Sequence, residues 1–176
     1  GFVESNGYIS IEAENFTSKT NKPVASWNII EGLGRTGNSV TVLPVNIDSI
    51  VEVDDILTKS PSLEYDLYTF TEGEAEMVFN CAASNPINSD YQLRAAVAID
   101  DAEPIIISRR VKRDVMENLL AIKAELNLPK QGPHKLKIWM VDPGLVIDKI
   151  IINTGGVKKS YLGPPESINH NKDKCQ

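Results

Sequence analysis

The chain has 176 residues, 41% of them hydrophobic, enough to bury one good core and too few for two ordinary domains, so a single domain over 1–176 is expected. Lys and Arg total 18 against 24 Asp and Glu, a net charge of −6, which opposes attraction to nucleic-acid backbones or anionic lipid. No apolar run approaches the roughly 20 residues that span a bilayer, and Gly1 to Ser5 lack the basic and apolar regions of a signal peptide.

Tyr8 to Glu14 alternates, with Ile9, Ile11 and Ala13 on one side and Glu12 and Glu14 together on the other, the pattern of a strand. Residues i and i+2 of a strand point the same way about 6.6 Å apart, so Glu12 and Glu14 could share a hard cation such as calcium, given further oxygens, or be two solvated glutamates. Asn15-Phe16-Thr17 has the form of a glycosylation sequon and reads as a loop. A second strand holds Trp27, Ile29 and Glu31. The following Gly32-Leu33-Gly34-Arg35-Thr36-Gly37 spells GxGxxG, but it opens onto the β-branched run Ser39 to Pro44 and not onto a helix. It therefore lacks the helix N-terminus that a dinucleotide needs, and a glycine-rich hairpin is expected, with no nucleotide cofactor.

Residues 45 to 62 mix acids, serines and Pro61 and read as a surface excursion. Leu63 to Phe70 and Ala75 to Cys81 alternate as strands that pair in a hairpin or lie across a sandwich. Asn85 to Ser89 is a loop, Tyr91 to Ile99 a strand, and Asp100-Asp101 turns into Pro104 to Ile107. Only one segment argues for helix, and a short helix or turn is expected near 111 to 119, followed by a strand to about Leu128. Leu136, Ile138 and Met140 point one way and Lys135, Lys137 and Trp139 the other, a strand with a wetter face; Asp142-Pro143-Gly144 then turns. Val146 to Ile152, β-branched on both faces, suits a central strand. Leu162-Gly163-Pro164-Pro165 permits neither helix nor ladder bonding, so the tail lies against the domain or leads away. Nine or ten such strands predict an all-β antiparallel sandwich, a jelly roll, with its core at about 8–167 and a polar tail at 168–176. Cys81, in an apolar strand, and Cys175, in the charged tail, are expected as free thiols.

Catalytic patterns are missing: two histidines, His134 and His170, no GxSxG, HExxH, paired CxxC or Walker loop. No catalytic residue is assigned.

Several blocks together carry a resemblance: Tyr8 to Phe16, Trp27 with Ile30 to Gly37, Leu63 to Asp66, Ile99 to Asp101, Lys137 to Gly144, and Ser160 to Ser167. These resemble the C-terminal domain of glycoside hydrolase family 115, whose members are xylan α-1,2-glucuronidases that remove (4-O-methyl)glucuronic acid. Ile11-Glu12-Ala13-Glu14 with a late acid is also similar to carbohydrate-binding modules of families 6 and 35, where two glutamates and an aspartate hold a structural calcium. The resemblance implies a galactose-binding-like sandwich, with Glu12, Glu14 and Asp148 as calcium ligands. It implies catalytic domains upstream as partners and a periplasmic or secreted location. It also implies an accessory role in docking, dimerisation or association with glucuronoxylan or another plant polysaccharide. Relatives commonly carry a tryptophan before the short helix, where this chain has Lys112-Arg113-Asp114. Glycan binding would require Trp27, Tyr65, Tyr68 or Tyr161 to be exposed together beside polar groups. Whether Trp27 and Trp139 are core or platform is open in the sequence.

Overall fold

A computed structural model of the chain describes residues 1–82, 84, 92–110 and 119–170. In chain order its elements are β1 (Phe2–Val3), β2 (Tyr8–Glu12), β3 (Ser18–Thr20), β4 (Ser26–Ile30), β5 (Ser39–Leu43), α1 (Val53–Lys59), β6 (Ser62–Thr69) and β7 (Gly73–Ala82). Then follow β8 (Gln92–Ile99), β9 (Ile105–Arg110), β10 (Leu119–Leu128), β11 (Gly132–Met140) and β12 (Val146–Asn153). The first sheet runs β1-β6-β11-β8-β9, with β3 also on β6; the second runs β10-β7-β12-β5-β4, with β2 also on β12. Every pairing is antiparallel except β1 on β6.

Alternation decides which side chains enter the space between the sheets. Leu63, Tyr65 and Leu67 of β6 meet Met77, Phe79 and Cys81 of β7 in one buried cluster, so β6 and β7 face each other across a sandwich. Burial raises the Cys81 thiol far above its ordinary range; Cys175 lies outside the described residues. The central position expected of the Val146 strand is observed, because β12 pairs with β7 on one side and with β2 and β5 on the other.

One expectation is corrected, one lies outside the described residues and one open alternative is decided. The helix expected near 111 to 119 falls, up to 118, outside the described residues, while Leu119 already belongs to β10. A helix that the sequence did not signal, α1, forms inside the acidic stretch, with Asp54 and Asp55 in its first turn and Lys59 in its last, as the helix dipole favours. Trp139 is not on a wet face, since Ile56 of α1 packs with it and with Ala96, Ala98 and Val141, leaving it 8% exposed. Of the two courses open to the tail, its described part takes the one against the domain: the Val3 amide donates to the Ile168 carbonyl at 2.9 Å, Phe2 bridges Asn169, and the His170 amide donates to the Gly1 carbonyl. Among the described residues no helix is long and apolar enough to cross a membrane.

Candidate functional site

Glu12, Glu14 and Asp148 are brought together by a change of partner in β12. Val146 and Ile147 pair with β5, Lys149 to Asn153 pair with β2, and a register shift against β7 falls between Ile147 and Lys149. Asp148 therefore sits in a bulge, the device that re-aims a side chain. The hairpin loop between β4 and β5, the glycine-rich run, closes over it. The Arg35 amide donates to Asp148 Oδ1 at 3.2 Å and the Asn38 amide to Glu14 Oε1 at 3.0 Å, while the Thr36 hydroxyl donates to Glu12 Oε1 at 2.6 Å. A Cβ on Gly34 would collide with the Gly37 carbonyl and stand 2.6 Å from Asp148 Oδ1, so that position requires glycine, while one on Gly37 would stand 2.5 Å from Glu14 Oε1 and displace that carboxylate.

Two cations balance part of this charge. Buried Lys149 places Nζ 3.1 Å from Glu12 Oε1 and bonds the carbonyls of Leu162 and Pro164; Arg35 Nε lies 3.9 Å from Asp148 Oδ2. Burial raises the Asp148 carboxyl more than the Arg35 amide lowers it, and the Glu12 charge adds to the rise. Glu12 Oε2 and Glu14 Oε2 are buried with no hydrogen-bond partner. As they stand, no three Asp, Glu, His or Cys side chains among the described residues group closely enough for a metal centre. The donor chemistry nonetheless fits calcium, which takes hard oxygens, and orphaned buried carboxylate oxygens are the groups a cation would satisfy.

The four aromatic residues singled out in the sequence do not make one platform. Trp27 is 2% exposed with Nε1 donating to the Pro61 carbonyl, and Tyr65 is fully buried with its hydroxyl donating to the Ala13 carbonyl, so both are core and neither can stack on a ligand. Tyr161 is exposed on the tail, with the Arg35 guanidinium 5.6 Å above its ring. Tyr68 points out of the first sheet. Its ring meets Phe70 edge to face at 5.1 Å, and the two line a cleft of about 670 Å³ with Asp66, Asp100, His134 and Lys135. Sequence reading missed Phe70 in this setting, although its spacing of two from Tyr68 was the available signal. The meeting of Asp100 with His134 depends on the β8–β11 register and had no local signal.

His134 Nδ1 lies 2.7 Å from Asp100 Oδ2 and Nε2 lies 2.8 Å from the Lys130 carbonyl, so both ring nitrogens are engaged. Lys135 Nζ is 2.7 Å from Glu64 Oε2 and 3.7 Å from Asp66 Oδ1. That hydrogen bond holds the Glu64 carboxyl below, and the Lys135 ammonium above, their ordinary values.

The model of the glycosyl hydrolase family 115 C-terminal domain matches residues 1–166. The chain belongs to this family. Among solved structures, the family 115 C-terminal domain described here is similar to part of BtGH115A, a 4-O-methyl-α-glucuronidase with specificity for decorated arabinogalactans. The identity is 22% and the TM-score 0.55, over 78% of this chain and 17% of that one. It is also similar to a family 6 carbohydrate-binding module, at 12% identity and TM-score 0.56 over 85% of this chain and 95% of the module. An exo-β-1,3-galactanase from Phanerochaete chrysosporium is similar over 82% of this chain and 29% of its own, at 15% identity and TM-score 0.54. These likenesses show the β-sandwich fold. The domain thus spans about a sixth of the glucuronidase it resembles. No curated protein matches the chain.

Proposed function

We propose that this family 115 C-terminal domain is a non-catalytic accessory module of a glycoside hydrolase that removes (4-O-methyl)glucuronic acid from xylan, and that it holds glycan in the Tyr68–Phe70 cleft. The observation that carries the reading is the aromatic pair lying in a cleft beside Asp66. A sugar ring presents axial C–H groups to an aromatic face while its hydroxyls seek carboxylates and backbone groups at the edge, and this combination offers both. Calorimetric titration of the chain with glucuronoxylan tests it. Binding is expected, weakened about tenfold in Tyr68→Ala or Phe70→Ala; no heat with the polysaccharide would remove the reading, and release of uronic acid by the chain alone would remove its non-catalytic part.

A second reading, docking on upstream catalytic domains or on another copy, is supported by Leu33, Tyr161 and Leu162, which are exposed near Arg35. Sedimentation at rising concentration distinguishes a dimer from a monomer. The orphaned oxygens of Glu12 and Glu14 support structural calcium held with Asp148. A melting temperature that falls on chelation and recovers with calcium is expected, and an unchanged melt would exclude it.

A further inference from the structure

Resting on the calcium reading of Glu12, Glu14 and Asp148, we infer that Lys149, seconded by Arg35, sets the affinity of that site by holding fixed positive charge against it. The strand register carries the first step. Lys149 of β12 stands opposite Glu12 of β2, so its ammonium comes to 3.1 Å from Glu12 Oε1, at the edge of the carboxylate group. It is also pinned there. The residue is 2% exposed, and its Nζ bonds the carbonyls of Leu162 at 3.2 Å and Pro164 at 3.3 Å. An exposed lysine swings into water at little cost when a cation arrives, whereas withdrawal here would strip the ammonium and both carbonyls of their partners. Arg35 is held in the same manner, with Nη1 on the Tyr161 carbonyl at 2.8 Å and Nε 3.9 Å from Asp148 Oδ2. Asp148 accordingly feels the charge of Glu12 on one side and those of Arg35 and Lys149 on the other. A further carboxylate, Glu166, accepts from the Glu12 amide on the exposed side, where water and salt screen it more than the buried ammonium. A divalent cation reaching the orphaned Glu12 Oε2 and Glu14 Oε2 therefore gains carboxylates but meets the repulsion of two positive groups that stay in place. Affinity in oxygen sites follows the charge count, so Lys149 and Arg35 keep calcium binding weak.

Calorimetric titration of the chain with calcium and with terbium, an ion of similar size and one more charge, tests this. The unaltered chain should bind calcium with a Kd on the order of 0.1–1 mM. Lys149→Met, which keeps the apolar stem and removes the ammonium, should bind calcium about 10-fold or more tightly and gain more for terbium, because the repulsion removed scales with the charge of the ion. Arg35→Gln, which keeps the backbone amide on Asp148, should show a smaller gain of the same kind, and it decides the test only where Lys149→Met fails to fold. A role of Lys149 confined to fastening the tail gives no such gain. Unchanged or weaker calcium binding by the deciding variant would overturn the inference and leave the calcium reading standing, as would nanomolar binding by the unaltered chain or a gain equal for the two ions. Binding by the variant alone would uphold the inference and remove calcium from the unaltered chain. Failure of every chain to bind either ion would overturn both.

Discussion

Trp27 and Glu4 show two ways a single side chain carries this fold. The Trp27 indole is enclosed in the inter-sheet core and satisfies its N–H on the Pro61 carbonyl at 3.1 Å, so truncation removes packing and a hydrogen bond together. Trp27→Ala should cost about 3–5 kcal/mol in urea denaturation, without a matching effect on the Tyr68–Phe70 cleft. Glu4 is 6% exposed and accepts from the amides of Phe70 and Thr71 and from the hydroxyls of Thr71 and Thr154. Burial raises its carboxyl, yet these donors together outweigh burial and hold it below the ordinary value of 4.5. The unfolded chain then binds the proton more readily than the folded one. The contribution of Glu4 is therefore complete above 4.5 and is lost as pH falls through the lowered folded value. The stability gap between the unaltered chain and Glu4→Gln should narrow on acidification below that point, as measured by denaturation midpoints from pH 3 to 7; a constant gap would contradict the assignment.

At the scale of elements, the glycine-rich hairpin and α1 bind to their sheets in different ways. The hairpin loop touches its sheet through backbone amides and carboxylates at glycine-limited distances, so Gly34→Ala drives a methyl toward Asp148 Oδ1 and the Gly37 carbonyl. A loss of about 1–3 kcal/mol is expected, read by thermal or urea unfolding. The short α1 is held by Ile56, buried against Trp139, and by the Ser60 hydroxyl donating to the Met140 carbonyl. Ile56→Ala should cost about 2–5 kcal/mol and raise Trp139 fluorescence quenching by added iodide, a readout specific to that face. These elements also mark where the sequence was readable. Strict alternation marked Leu63 to Phe70 as a strand but left the side of Tyr65 undecided, so a core residue stood among the candidates for exposure, while the failed GxGxxG context correctly gave a hairpin. The acids at 12 and 14 could be put on one face by spacing alone. Their closeness to Asp148 could not, because it depends on a bulge where a strand exchanges one neighbour for another. Nor could the burial of Trp139, since a seven-residue helix anchored by one isoleucine leaves almost no periodic signal.

At the scale of the molecule, the tail and β12 join the sandwich into one unit. The Ser167 amide donates to the Ser10 carbonyl of the second sheet and its hydroxyl accepts from the Ser10 amide, Glu166 accepts from the Glu12 amide, and Asn169 bridges Phe2 of the first. Removing residues from Ser160 onward takes away these links and uncovers Lys149, whose ammonium bonds the Leu162 and Pro164 carbonyls. The shortened chain should melt well below the unaltered one, with loss of the Phe2 end first in hydrogen exchange. The place of β12 has a further consequence for synthesis. Since β2, β5 and β7 all need residues 146–153 as their common neighbour, a ribosome that has reached residue 145 has made a half-built layer with nothing down its middle. Those three segments must wait with open hydrogen-bonding edges until β12 emerges, the stage at which pairing with the wrong strand is easiest.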